Sequence, residues 1–263
     1  MTRDRFRAPG VIVPDIDEVE WDDEADIICV GTGSAALAVA VAADADGLDV
    51  LLADGRGEGD TATLAGRLGL TGESAEYLDC VTEDTGPLAH ATAAAELTVR
   101  RTGEPLWPDL GAGISFSGAA LRDWAAACLA SPYGLLCTTV ADVDAATVRV
   151  GTLDTGEPVD IGGWLRERAR DLGINAREQT SLGGLVFAGG QVIGAVIDSP
   201  DGQSLVRATG GVVVPTGAGT QLPHLAPDCF DGFSGTGTVD LVVLARPFSR
   251  FARLGLLVSG RDD

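Results

Sequence analysis

The residues with the clearest chemical potential lie between positions 31 and 54. Gly31-Thr32-Gly33-Ser34-Ala35-Ala36 reads G-x-G-x-x-A. In a turn of this kind the first glycine permits a tight bend and the second lets the backbone approach a pyrophosphate. The third small residue lets a helix pack against a strand. Asp54 follows 23 positions after Gly31, at the spacing where an acid accepts hydrogen bonds from a ribose hydroxyl. Phosphate chemistry at such a turn needs no basic side chain, because the free N–H groups at the start of a helix point at the anion.

The flanking residues predict the elements that would hold these groups. Positions 27–30 (IICV) form a short apolar run with β-branched residues, as in a strand buried on both faces. Positions 34–45 are rich in alanine and contain neither proline nor glycine, which predicts a helix ended at Gly47. A second strand is expected at 49–53, closed by Asp54. Strand, glycine turn, helix, strand and acid occur in register. A tight turn in an ordinary βαβ unit is the bland alternative.

Few other residues offer chemistry. Tyr77 lies in GESAEYLDC, an amphipathic helical pattern, where a packing role is expected. Tyr133 lies in ASPYGLL, a Pro-Gly turn, and is expected to be the more exposed of the two. His90 and His224 are too few and too far apart to argue for a metal cluster. Cys29, Cys80, Cys128, Cys137 and Cys229 contain no C-x-x-C pair and predict neither a zinc site nor a disulfide framework. Arg100, Arg101 and Arg122 fit solvated or paired positions as well as a substrate carboxylate. All 18 basic residues are arginine, which removes any lysine mechanism such as a Schiff base.

The whole chain sets wider bounds. Its 263 residues can bury a sizeable core, as one large domain or two small ones. A formal charge of −21 makes nucleic acid and anionic membranes poor partners. The sequence holds no apolar run of about 18 residues, and MTRDRFRAPG lacks the apolar core of a signal peptide, so a cytoplasmic location is expected.

Four segments are expected. Residues 1–24 read as an arm. Residues 25–60 and 155–220 form a discontinuous α/β domain. Residues 61–154 read as a helical, cap-like insertion, with helices at 74–83, at 86–97 and in GAALRDWAAACLA. Beyond Gly173 a strand at 175–178 precedes a meander with strands at 185–188, 192–198 and 204–208. A buried strand at 212–214 then ends at Pro215-Thr216-Gly217. The C-terminal segment, 221–263, carries Leu241, Val242, Val243, Leu244, Phe248, Phe251, Leu254, Leu256 and Leu257. So many apolar residues after a complete domain predict burial in a homo- or hetero-oligomeric interface.

The stretch GWLRERARDLGINAREQTSLGGLVFAGGQVIGAVIDSPDGQSLVRATGGVVVPTGAG resembles the segment that completes the FAD domain of two-dinucleotide-type flavoproteins. The resemblance is strongest to the family of fumarate reductases and 3-ketosteroid dehydrogenases. It implies an α/β fold with a Rossmann-like FAD-binding domain: a parallel sheet, helices, a crossing β-meander and a small helical insertion. The family's pyrophosphate turn matches Gly31, Gly33, Ser34, Ala35 and Ala36, and its ribose acid, usually Glu, matches Asp54, followed by Gly55. Thr61 matches loosely a threonine that lies along the flavin. The backbone contact to adenine falls near Leu182, and Thr216-Gly217 matches a turn that passes close to the cofactor. The family's C-terminal segment, which grips the pyrophosphate and the flavin, is not recognisable, and the insertion is shortened. The resemblance therefore implies FAD as cofactor. It points to an FAD-dependent oxidoreductase of reduced size, or a subunit that needs a partner. The alternative is a non-catalytic flavoprotein-fold assembly or regulatory subunit. A nicotinamide enzyme using the first turn alone fits less well, because of the meander.

Overall fold

The computed structural model describes residues 11–12, 19–55, 63–83, 97–101, 118–140, 147–154, 159–217 and 237–258. The first half contains β1 (Val11–Ile12), β2 (Asp23–Val30), α1 (Ser34–Ala45), β3 (Val50–Ala53), α2 (Leu64–Arg67), α3 (Gly72–Thr82), β4 (Thr98–Arg101) and α4 (Gly118–Ala130). Then come β5 (Gly134–Cys137), β6 (Thr147–Asp154), α5 (Ile161–Asp171), β7 (Ala176–Arg177), β8 (Ser181–Ala188), β9 (Gln191–Ser199), β10 (Gly202–Pro215), β11 (Thr238–Ala245) and β12 (Phe251–Val258). The fold is mixed α/β around one mixed sheet.

The apolar runs at 27–30 and 49–53 are adjacent parallel strands, with Ile27 opposite Val50 and Val30 opposite Ala53. The chain crosses between them through α1. β10 runs parallel on the other side of β2, with Val212 opposite Ile28, and β7 extends the sheet beyond β3. The strands expected at 27–30, 49–53 and 212–214 are thus neighbours in one parallel block. Side chains alternate as a pleated strand requires. Cys29 enters the core on one face of the sheet, and Ile28 and Val30 enter the core on the other.

β10 is where the sheet divides. Its first half pairs antiparallel with β9, which continues through β8 to β1, and its last residues pair antiparallel with β5. A register shift between Ala208 and Gly211 puts one extra residue on β10 against β2. Such a bulge bends the strand and increases its twist, so one strand can serve both the meander and the parallel block. Beyond β5 the sheet continues antiparallel through β12 and β11 to β6, and β4 lies parallel to β12.

Helices cover both faces. α1 and α5 enclose one core with Cys29, Leu52, Val213, Leu254 and Leu256. α2, α3 and α4 enclose the other with Ile28, Leu51, Val212, Val214 and Phe251. No helix among the described residues is long and apolar enough to cross a membrane.

Two expectations are refined by the structure. Besides α2, α3 and α4, the described residues of segment 61–154 supply β4, β5 and β6, all joined to the common sheet. GLLC at 134–137 is too short to declare a period, and it follows a helix directly. The helical pattern of Leu121, Trp124, Ala125 and Cys128 ends at Ser131-Pro132 rather than continuing. The helix expected at 86–97 and most of the N-terminal arm lie outside the described residues. The apolar C-terminal residues that predict an oligomeric interface are β11 and β12 of the sheet. Leu241, Leu244, Leu254 and Leu256 are at most 3% exposed inside this chain, whereas Phe248 of the same segment is 54% exposed.

Candidate functional site

β2 ends at Val30, and the chain bends at Gly31 with φ +92°, a conformation that side-chain-bearing residues seldom adopt. The Gly31 N–H donates to the Ala53 carbonyl (2.8 Å), which ties the turn to the end of β3. A Cβ on Gly31 would lie 3.4 Å from Pro215 Cγ, so the end of β10 closes on the same turn. The carboxyl ends of all three parallel strands therefore meet at Gly31, where ligands of open α/β sheets bind.

Gly33 is the N-cap of α1. Among the described residues no side chain caps the helix there, no acid stands in its first turn, and a Cβ on Gly33 would meet nothing within 4 Å. The first-turn N–H groups of Ser34, Ala35 and Ala36 stand at the positive end of a 12-residue helix. Ala35 and Ala36 are 3% and 0% exposed and pack the helix on the sheet, as the third small residue of the turn should. The start of α5 lies alongside: a Cβ on Gly162 would stand 3.3 Å from Ser34 Oγ. The Asp160 carboxylate there accepts from the Gly163 N–H (2.9 Å) and caps α5.

Asp54 and Gly55 leave β3 beside the turn. The Asp54 N–H donates to Thr180 Oγ1 (3.0 Å) and the Gly55 N–H to the Thr180 carbonyl (3.0 Å). Gly55 has φ +64°, and a Cβ on it would lie 2.4 Å from the Gly31 nitrogen. The two turns touch backbone to backbone.

Thr216 is fully buried. Its N–H donates to the Gly134 carbonyl (3.0 Å), its hydroxyl donates to the Cys128 carbonyl (2.7 Å), and its own carbonyl accepts from Arg67. A Cβ on Gly217 would stand 2.5 Å from Pro132 Cα. These two residues anchor the end of β10, and the Thr216 side chain has no capacity aimed outward. Burial holds the Arg67 guanidinium below its usual pKa range, yet Arg67 brings positive charge to this end of the sheet.

The structure thus brings Gly31, Gly33, Ser34, Ala35, Ala36, Asp54 and Gly55 together, with Thr216 and Gly217 adjoining through Pro215. Leu182 is the second residue of β8, two positions after Thr180. Its side chain is 5% exposed and belongs to the apolar core, so only its backbone has anything to offer a ligand. Thr61 lies outside the described residues. Sequence reading misses Thr180 and Arg67. A threonine just before a meander strand carries a weak signal, and a lone arginine in a four-residue helix carries none.

The two tyrosines and the buried cysteines have structural roles. Tyr133 is 1% exposed, the reverse of the expectation, because its turn is covered by the sheet and by α4. Burial raises its phenol pKa, and Arg253 partly opposes that. Tyr77 is set edge-on to Phe187 at 5.4 Å, lies beneath the Arg250 guanidinium at 5.9 Å, and donates to the Thr138 carbonyl at 3.4 Å. Burial raises the thiol pKa of Cys29 and Cys128, and that of Cys137 to about 11, which removes them as thiolate nucleophiles. Among the described residues no group of three or more His, Cys, Asp or Glu could hold a metal ion. His90, His224 and Cys229 lie outside those residues.

A groove of about 330 Å³ opens at the opposite, amino ends of the strands. Asp23, Glu24, Asp44, Asp49, Leu172 and Ile174 are among the residues that line it. α1 and α5 end there, so four carboxylates and two negative helix ends outweigh the Arg177 guanidinium in the lining and disfavour phosphate. The N-terminus of α1, the end whose dipole favours an anion, is at Gly31.

No protein-family model and no curated protein matches the chain. Among the solved structures to which the chain is similar are two flavoproteins. One is the 3-ketosteroid-Δ4-(5α)-dehydrogenase from Rhodococcus jostii RHA1 in complex with 4-androstene-3,17-dione. It shows 20% identity and a TM-score of 0.34, over 76% of this chain and 47% of that one. The other is the open conformation of a flavocytochrome c3 fumarate reductase, with 15% identity and a TM-score of 0.31, over 72% of this chain and 33% of that one. This chain spans less than half the length of either. They are of the two enzyme types that the second half of the sequence resembles.

Proposed function

We propose that the chain binds FAD at the Gly31 crevice through a Rossmann-like arrangement and acts as a small FAD-dependent oxidoreductase of the fumarate reductase and 3-ketosteroid dehydrogenase type. The observation that carries this reading is the turn itself: an uncapped helix start over open space at Gly33, with Asp54 at the end of the next strand. The residues present fit the dinucleotide half of the cofactor. The N–H groups of Ser34, Ala35 and Ala36 hold the pyrophosphate. The Asp54 carboxylate accepts from the ribose hydroxyls. The backbone near Leu182 faces the adenine, and Arg67 adds charge of the favourable sign. Bound there, FAD would supply hydride exchange with a substrate. The chain's own part is to hold and orient it and to keep water from the strand ends.

A second reading is supported by the tyrosines. Tyr77 and Tyr133 are both committed to packing, so neither is a ready proton donor. This favours a non-catalytic member that retains the cofactor site as an assembly or regulatory subunit. An absorbance spectrum of the purified protein tests the proposal: flavin bands released on denaturation are expected, and their absence from protein refolded with excess FAD would refute it. Flavin bands without turnover of any acceptor would favour the second reading.

A further inference from the structure

We infer that Thr180 is the positioning residue that aims Asp54 at a ribose, and that its hydroxyl sets how strongly the site distinguishes a ribonucleotide from its deoxy analogue. The inference rests on the nucleotide reading of the Gly31 crevice. Thr180 is 5% exposed and sits in the turn between β7 and β8. Gln179 before it has φ +57°, which turns the chain so that Thr180 meets the exit of β3. Its Oγ1 accepts from the Asp54 N–H at 3.0 Å and donates to the Arg177 carbonyl at 2.5 Å, while its carbonyl accepts from the Gly55 N–H at 3.0 Å.

The placement of these bonds gives them their consequence. β7 supports β3 only as far as Arg177, which lies opposite Ala53. Asp54 and Gly55 come next, past the last ladder pair, and Thr180 takes both of their N–H groups. The hydroxyl completes the bracket, because it gives its hydrogen to Arg177 on β7 and its lone pair to Asp54 leaving β3. The direction of the Asp54 Cα–Cβ bond, and so the place of its carboxylate, follows from that peptide orientation. Without the hydroxyl the Asp54 N–H loses its acceptor and the peptide is released to turn toward water. The ligand class is an adenine ribonucleotide whose vicinal hydroxyls both donate to one charged acceptor.

The test is isothermal titration of ADP and of 2′,3′-dideoxy-ADP into the full chain and its Thr180 variants. Wild type is expected to bind ADP more tightly by about tenfold or more, because the deoxy analogue forfeits hydrogen bonds to a charge. In Thr180→Val the ratio should fall to about threefold or lower, and Thr180→Ser should keep the wild-type ratio. A merely structural role for Thr180 would weaken both ligands together and leave the ratio unchanged. If Thr180→Val does not fold, Thr180→Cys, near-isosteric with a weakly bonding thiol, carries the same expectation. Retention of the full ratio in the folded Val or Cys variant overturns this inference alone. Folded wild type that gives no heat with ADP overturns the nucleotide reading, and this inference with it.

Discussion

Gly55 packs directly on Gly31: a Cβ added to Gly55 would stand 2.4 Å from the Gly31 nitrogen. The contact locks the phosphate-type turn to the exit of the next strand, so the two halves of the crevice move as one. Gly55→Ala should therefore cost about 2–4 kcal/mol, from the left-handed strain together with a clash against backbone that cannot yield. Gly47 is the control. It has a similar φ of +77° but nothing within 4 Å of an added Cβ, so Gly47→Ala should cost only about 1 kcal/mol. Chemical denaturation of the two variants measures the difference, and equal costs would contradict the packing argument.

Gly33 behaves in the opposite way. Its φ of −69° is open to any residue, and the space beyond it is empty. Gly33→Val should leave the fold intact and lower stability by no more than about 1 kcal/mol, the cost of a poor N-cap residue. The same branched side chain would occupy the phosphate position and abolish cofactor retention. A melting curve and a flavin spectrum on one sample separate the two effects, and a variant that keeps its flavin would remove the turn from the site.

Much of this arrangement is legible in the sequence, because local chemistry decides it. Gly31 and Gly33 announce the turn, the alanines of α1 announce a helix tight against a sheet, and Asp54 falls at the strand end. What is not legible depends on distant contacts. Thr180 reaches Asp54 across 126 positions, and Arg67 reaches Thr216 across 149. The short run GLLC pairs with β10 and β12, so its identity as a strand depends on residues far along the chain. The same applies to the C-terminal strands: their apolar residues are evident, but the neighbours that bury them are not.

A pH effect follows from the Asp23–Arg177 ion pair, which joins the start of β2 to β7. The Arg177 hydrogen bond holds the Asp23 carboxyl below its ordinary value of 3.8, against burial, the next largest effect, and with smaller help from the Glu24 N–H and the Arg177 charge. A depressed folded-state value stabilises the protein above the unfolded value, and the gain is lost as pH falls through the folded value. Both side chains are more than a third exposed, so the amount is about 0.2–1 kcal/mol. Asp23→Asn should lower stability by that amount at pH 7 and converge with wild type as pH falls below 3.8 and through the lower folded-state value. A deficit that persists unchanged at low pH would assign the effect to packing instead.

Thr216→Val should cost about 0.5–1.5 kcal/mol, because the buried Cys128 carbonyl loses the hydroxyl that donates to it at 2.7 Å but keeps the Ser131 N–H at 3.2 Å. FAD affinity should change little in the folded variant, since that hydroxyl is directed into the protein. Urea denaturation and FAD titration of the same preparation check both statements. A large loss of affinity at unchanged stability would mean that Thr216 faces the ligand.

The central claim is that the crevice at Gly31 is a working FAD site rather than architecture alone. Isothermal titration of FAD into cofactor-free wild type and Asp54→Ala tests it most directly. The account predicts saturable binding by wild type and an affinity lower by roughly tenfold or more in Asp54→Ala, from the loss of hydrogen bonds to a charged acceptor. No heat from either protein, with circular dichroism showing both folded, would contradict it.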